Sequence, residues 1–476
     1  MIAKEKLNIL WSLEQTAEKY ADRVAVSDVN QELTWKELVK KAQVIGAELS
    51  EKVQPGNPVL LEKSSETLAV MLGIVYAGCF YVPVNPMNPT ERLRKIMEKL
   101  DPEVIISDEK GKEQLAAVGN GLENKVMGPE ALKTATGTEL SEEQYSRLEQ
   151  GQWKETDVLY GIFTSGSTGT PKAIVVSHGA ASRFIRHFTE IFEITSADVI
   201  GNQAPFDFDV SVKDIYSSIM TGAQLVLIPK EYFSTPPRLL DYLCDKKVTN
   251  LTWAVSALTL VSALKGLNYR VPESVKRVMF SGEAMPAKQL RIWQEKLPEA
   301  KFVNLYGPTE ITCNCTYFLI ERQYEDSEKI PAGKAFPGRR VILVDEEGKQ
   351  VTEPGVQGEI CSAGESLANG YYKEPEQTAE KFVLYPVDGT EQRMYRTGDL
   401  GSYDEEGNIV FAGRKDFQIK HMGHRIELEE IERSMTALDG VEKSCCVFDT
   451  EKNRIMGFYL GEKAASDVRK QMKEKL

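Results

Sequence analysis

From residue 24 to about residue 310, short apolar runs alternate with longer stretches that carry helical periodicity. "PVLLEK" precedes "SETLAVMLGIVYAG", and "RLRKIMEKL" precedes "EVIISD". Further on, "PPRLLDYLCDKK" leads into "TNLTWAV", then "KRVMFSGE", "AKQLRIWQEKL" and "KFVNLYG". Such alternation requires crossover connections, so it predicts an α/β fold of mainly parallel, helix-covered sheets. Ligands of these sheets sit beyond the carboxyl ends of the strands. The loops "FSGE" and "LYGPTE" are therefore where chemistry is expected.

The pattern changes after residue 330. "RRVILVDEEGKQV" and "GSYDEEGNIVFAG" each set Asp-Glu-Glu-Gly between β-rich runs, which predicts hairpins at Asp345–Gly348 and Asp404–Gly407. Residues 1–413 then read as one large domain whose last part, about 331–413, is a small β-barrel-like subdomain. From Arg414 onward the pattern is α+β. "GHRIELEEIERSMTAL" reads as helix, "KSCCVFD" and "IMGFYL" as strands, and "ASDVRKQMKEKL" as a charged helix. Residues 414–476 are thin for an independent core and read as an incomplete small domain. The N-terminal "MIAKEKLNILWSLEQTAEKY" is too short in its apolar patch for a secretory signal and reads as an amphipathic helix.

Composition narrows the function classes. The 476 residues hold 58 Lys plus Arg against 71 Asp plus Glu, a formal charge of −13. That balance argues against nucleic acid as a partner, while leaving room for a local anion site. No run of about 18 apolar residues offers a membrane span. Seven scattered cysteines suit reduced thiols in a cytosolic protein better than disulfides, and "CNC" at 313–315 is too tight for a zinc knuckle.

One stretch looks like a phosphate cradle without matching the usual phosphate-loop pattern. In "TSGSTGTPK", Thr164 to Lys172, Pro171 precedes the lysine and Ala173 follows it. The flanks "VLYGIF" and "AIVVS" are strand-like, so this is a turn between strands. Backbone N–H groups beside Gly166 and Gly169, the hydroxyls of Thr164, Ser165, Ser167 and Thr168, and the charge of Lys172 suit the outer phosphates of ATP. A plain Gly/Ser/Thr linker has the same composition.

Read in order, "TSGSTGTPK", "FDFDVSVKD", "NLYGPTE", "YRTGDL" and "GRKDFQIKHMGHRIELEEIE" resemble the adenylate-forming, AMP-binding superfamily. The likeness runs from about residue 10 to the C-terminal end. It is strongest to amino-acid adenylation domains of nonribosomal peptide synthetases and to D-alanine–carrier-protein ligases. The resemblance implies activation of an amino acid by Mg²⁺ and ATP, then transfer of the acyl group to the phosphopantetheine thiol of a carrier protein. It implies that Asn304 and Tyr306 meet adenine, Thr309 the α-phosphate, and Glu310 the Mg²⁺, with Lys172 on the outgoing phosphates. Gly282 and Glu283 would line the nucleotide. Asp399 would hold the ribose hydroxyls with help from Arg414, although pairing of Asp399 with Arg396 is the simpler alternative. Asp416 matches the hinge of the mobile C-terminal domain, and Gly423 the loop that approaches the pantetheine arm.

The resemblance also places Asp209, rather than Asp207, against the α-ammonium of the substrate. Asp209 and Lys213 are four residues apart and would equally make a surface pair on a helix. The rest of the implied pocket is Val210, Lys213, Thr252, Met279, Ser281, Leu305, Cys313 and Asn314. If Lys213 points inward, an acidic or carbonyl-bearing substrate side chain follows; if it points outward, a small one does. The family's C-terminal lysine, in an Asn-Gly-Lys context, has no counterpart in these residues. Two other readings stay open: an acyl- or aryl-CoA ligase of the same superfamily, and a catalytically weakened nucleotide-binding module.

Overall fold

The structure is a computed structural model describing residues 6–50, 52, 57–128, 140–150, 154–165, 170–421, 424–449, 452 and 454–475. The alternating pattern resolves into two parallel-cored sheets. In the first, Lys301–Tyr306, Arg277–Ser281, Asn250–Ala254, Val199–Asn202, Gln224–Leu227 and Val24–Ser27 lie side by side and parallel. Antiparallel strands close its edges, Thr316–Ile320 with Lys334–Ala335 on one side and Glu32–Thr34 on the other. In the second, Val158–Thr164, Tyr81–Pro83, Asn57–Leu60, Ile105–Ser107 and Val126–Met127 run parallel. Lys172–Ser177 folds back antiparallel on Val158–Thr164, with Thr164 opposite Lys172, so "TSGSTGTPK" does join two strands.

A helix held between the two sheets does most to place the site. Val210–Thr221 buries Ser211 through Ile219 almost without interruption. The Tyr216 hydroxyl meets that of Tyr81 at 2.5 Å, and the Tyr216 ring stacks on Tyr160 at 6.4 Å, both partners coming from the second sheet. Full burial of such rings contributes roughly 1.5–3 kcal/mol each. The helix ends at Gly222, in the left-handed region at φ +78, where a Cβ would fall 2.5 Å from the ring of Tyr20. Only glycine fits both demands. Clamped at its far end and along its length, this helix points its first turn into the interior.

Strands between Arg339 and Arg414 form an antiparallel sheet of six among the described residues. Both expected hairpins are present. Asp404 Oδ1 accepts from the backbone N–H of Glu406 and Asn408, and Gly348 and Gly407 take φ +83 and +76. Lys334–Ala335 pairs with the first sheet instead, so the β-rich unit starts nearer 339 than 331. The stretch from His424 departs from the all-helical expectation. His424–Glu427 is a strand paired with Gln418–His421, and the helix begins only at Leu428 and runs to Thr436. Cross-strand pairing of Ile419 with Ile426 outweighs the local helical periodicity there. Val441–Asp449 and Arg454–Gly461 pair antiparallel, and Ala465–Lys475 is helical. The N-terminal amphipathic helix is Ile9–Tyr20, capped by the Asn8 side chain. Among the described residues, no helix is long and apolar enough to cross a membrane.

Candidate active site

A cavity of about 930 Å³ opens where the parallel strands of both sheets end. Thr164 and Ser165 enter it from the second sheet, and Ser281, Gly282 and Thr309 from strand ends of the first. Asp209, Val210 and Lys213 line it from the first turn of the buried helix, Cys313 and Asn314 from a loop, and Asp399 and Arg414 from the antiparallel sheet. The hairpin Gln418–Glu427 and the helix Leu428–Thr436 close it on the C-terminal side, through Gln418, Lys420, Arg425, Ile426 and Glu430.

Asp209 sits at the N-cap of the helix, yet its carboxylate makes no capping bond. It turns instead toward Thr309, and burial pushes it above the ordinary carboxylate range against the pull of Lys213. Asp207 also lines the cavity; burial raises it to about 6, with Arg92 and Lys230 opposing. Lys213 is only 1% exposed, so the surface-pair alternative is overturned. Its ammonium donates to Asn314 Oδ1 at 2.7 Å and lies 3.4 Å from Ser281 Oγ. The loop that presents Asn314 is strained, with Thr312 and Cys313 at φ +58 and +70. It packs onto Gly307, where a Cβ would fall 2.6 Å from Asn314 Cα. The Cys313 thiol donates to the Asp209 carbonyl, and burial pushes its pKa up, so it stands as a neutral thiol. Thr252, Met279 and Leu305 are buried in the strands behind this wall rather than on it.

The other side of the cavity is organised around two carboxylates. Asp399, 3% exposed, accepts the Tyr306 hydroxyl on Oδ2 at 2.6 Å and pairs through Oδ1 with Arg414. Arg414 is held in turn by both carboxylate oxygens of Asp416, at 2.6 and 2.7 Å. Arg396 pairs with Glu359 at 2.5 Å, which removes the simpler Asp399–Arg396 alternative. Lys420 lies 5.9 Å over the Tyr306 ring, and the Asn304 amide donates to the Pro331 carbonyl at 2.8 Å. Neither Asn304, Tyr306 nor Glu283 lines the cavity.

Glu310 is fully buried, and its carboxylate is already engaged. Arg425 Nη1 donates to Oε1 at 2.9 Å and to Oε2 at 3.1 Å, and the Tyr371 hydroxyl donates to Oε1 at 3.0 Å. Burial is the largest influence and would raise this group, but the Arg425 charge together with hydrogen bonds from the backbone, Tyr395 and Arg425 brings the pKa below the ordinary value. In this arrangement a guanidinium stands where the resemblance implies Mg²⁺. The described residues hold no cluster of three His, Cys, Asp or Glu side chains to offer a metal ion instead. The expectation of an available metal carboxylate is corrected accordingly: as arranged here, Glu310 does not fit the ion. Lys172 lies 5.4 Å over the Tyr371 ring, outside the cavity lining, and is lowered by burial and by Arg425. Gly166, Ser167, Thr168, Gly169 and Gly423 lie outside the described residues.

Sequence reasoning missed Arg425, Tyr371 and Lys420. Arg425 had one signal, a lone arginine ahead of the acidic run Glu427–Glu430 on a strand that reaches the cavity.

Residues 13–372 match the family profile described as AMP-binding enzyme. The chain belongs to the AMP-binding enzyme family. It is 33% identical over 432 residues to the D-alanine–D-alanyl carrier protein ligase of Bacillus velezensis, covering 90% of this chain and 82% of that one. It is 30% identical to tyrocidine synthase 1 of Brevibacillus parabrevis over 95% of this chain, and 32% identical to bacitracin synthase 1 of Bacillus licheniformis over 90%. Those matches span only 40% and 8% of the two synthases. Among solved structures, the Vibrio cholerae adenylation domain AlmE, in complex with glycyl-adenosine-5′-phosphate, superposes with TM-score 0.86 at 22% identity over 100% of this chain and 93% of that one. That likeness shows the fold.

Proposed function

We propose that this AMP-binding enzyme activates an amino acid with ATP and passes it to the phosphopantetheine thiol of a carrier protein. The observation that carries the reading is one cavity with Asp209 on one side and the Asp399–Arg414 pair on the other. The relatives support it: one is named as a ligase for a carrier protein, and two others as bacitracin and tyrocidine synthases.

The substrate ammonium pairs with Asp209, which the helix turn presents uncapped. The substrate carboxylate oxygen attacks the α-phosphorus of ATP, the bond to the β-bridging oxygen breaks, and pyrophosphate leaves. Thr309 bonds Asp209 in this structure; once the substrate ammonium occupies Asp209, the Thr309 hydroxyl would be released to donate to the α-phosphate. Asp399 accepts the ribose hydroxyls on lone pairs that Tyr306 and Arg414 leave over, since a carboxylate has about four acceptor sites. Gly282 and the turn from Thr164 to Lys172 complete the nucleotide site. In the second step the pantetheine sulfur, its proton released to solvent, attacks the acyl carbon and AMP departs. The cavity extends between Arg92 and Lys95 on one helix and Glu430 and Arg433 on another, which suits entry of the thiol arm. The protein's share is mainly positioning and charge placement.

Residues 1–413 would act as the nucleotide-holding domain and 414–476 as the mobile one, swinging at Asp416. Mg²⁺ would accompany ATP rather than rest on Glu310, whose carboxylate Arg425 and Tyr371 already occupy. Seven unpaired cysteines suit a reducing, cytosolic setting. The test is amino-acid-dependent pyrophosphate release and hydroxylamine-trapped acyl product across the protein amino acids, with fatty and aryl acids plus CoA alongside. Turnover or trapped product with an amino acid alone supports the reading. Thioester formation with CoA and a plain acid, with none for any amino acid, overturns it.

A further inference from the structure

Resting on that reading, we infer that the activated amino acid carries an acidic side chain, aspartate- or glutamate-like, whose carboxylate pairs with Lys213. Three observations carry the inference. Lys213 is 99% removed from solvent by its 1% exposure, yet it lines the cavity wall. An ammonium has three donors; one is well used at Asn314 Oδ1, and a second only weakly at Ser281 Oγ, 3.4 Å away. Among the described residues no carboxylate lies within ion-pair distance of it. Asp214, its neighbour in sequence, is bonded to the Asn202 amide and to Thr252.

Burial lowers the Lys213 pKa against the opposing pull of Cys313, Asp209 and Asp214, yet among the described residues no carboxylate touches it. An ammonium buried without a contacting counter-ion is costly, and stable folds rarely keep one without a purpose. Here the cost is met by a rigid setting: a helix clamped at Tyr216 and Gly222, and a strained loop pressed onto Gly307. Asp209 and Lys213 are one helical turn apart, with Cβ atoms expected about 5–6 Å apart. They present an anion and a cation to the same cavity. A ligand with an ammonium and a side-chain carboxylate a few bonds away satisfies both. A neutral side chain satisfies Asp209 and leaves Lys213 buried and unpaired, which selects against it.

The experiment is calorimetry on the full chain with non-hydrolysable aminoacyl-sulfamoyl adenosines. The panel is aspartyl, glutamyl, asparaginyl, glutaminyl, alanyl and leucyl, with a benzoyl analogue as control. The expected result is that one acidic analogue binds roughly 30- to 100-fold more tightly than its own amide, the scale of a lost buried charge contact. Lys213→Met should erase that gap between acid and amide. Because the acid-to-amide ratio is read on the unaltered protein, poor folding of the variant leaves the test intact. Equal binding of acid and amide, or preference for a neutral analogue, overturns the inference and leaves amino-acid activation standing. Binding of the benzoyl control as tightly as any aminoacyl analogue overturns the underlying reading instead.

Discussion

The two sides of the cavity treat charge in opposite ways. On one side the buried carboxylates Asp399 and Glu310 each have a guanidinium, Arg414 for the first and Arg425 for the second. Around Asp209 and Lys213 no such partner stands within ion-pair distance, among the described residues, although both line the same cavity. A pair closed within the protein stabilises this arrangement of the chain. A charge left open in a rigid wall stores affinity for a ligand instead. The Asp399–Glu310 side is thus closed by the C-terminal hairpin through Arg425, while the Asp209–Lys213 side is held by the core.

The sharpest way to break the contrast is Arg425→Ala. It strands Glu310, which is fully buried, and removal of one member of such a pair costs about 3 kcal/mol. Denaturant titration should show that loss without added metal. If Glu310 then becomes open to Mg²⁺, millimolar Mg²⁺ should recover part of it in the variant and do little for the unaltered protein. A loss that Mg²⁺ leaves untouched would show that Arg425 and the ion do not compete.

Next in size is Asp209→Asn, which removes the open anion and keeps its shape. Aminoacyl-adenylate analogues should weaken roughly 30- to 100-fold, and a benzoyl analogue by less than about threefold. Asp209 stands above the ordinary carboxylate range in the folded protein. Its anion is therefore present above that raised pKa and is lost as pH falls through it. Aminoacyl affinity should decline on acidification in the unaltered protein and stay flat in the variant. Uniform weakening of both ligand classes would assign Asp209 a structural role.

A smaller effect is expected from Gly307→Ala. The added Cβ meets the backbone of Asn314 and Cys315 at 2.6 and 2.7 Å, so the wall must shift. Overpacking of this kind costs about 1–3 kcal/mol. It should lower the acid-to-amide binding ratio, because Asn314 is what holds the Lys213 ammonium. An unchanged ratio would mean that Lys213 keeps its place without Asn314.

These contrasts also mark how far the sequence was readable. Strand and helix order could be read because the periods of a buried strand and an amphipathic helix are local properties, and the cavity opens at strand-end loops as that order requires. The direction of Lys213 was not legible: spacing from Asp209 allows surface and interior alike, and tertiary packing of Tyr216 on Tyr81 and Tyr160 decides it. Arg425 was hidden for a related reason. Its partner lies 115 residues earlier, and the strand that carries it reads locally as helix. The resemblance implies adenine as the partner of the Tyr306 ring, yet its hydroxyl fixes Asp399, a link that no spacing announces.

The subtlest test concerns Asp214, beneath the open side. Burial raises its pKa to about 7, against 3.8 ordinarily, in spite of bonds from Asn202 and Thr252 and the charges of Lys213 and Lys63. Between those two pH values the folded chain holds a proton that the unfolded chain has released. The stability Asp214 contributes is therefore complete below about pH 3.8 and is lost as pH rises through 7. Asp214→Asn keeps an acceptor for Asn202 and cannot ionise, so it escapes that loss. The melting temperature of the variant, relative to the unaltered protein, should rise by roughly 2 °C between pH 4 and pH 8. A gap that stays constant would mean that Asp214 ionises normally and serves Lys213 as a counter-ion. The open side would then be closed after all, and the case for an acidic substrate would weaken with it.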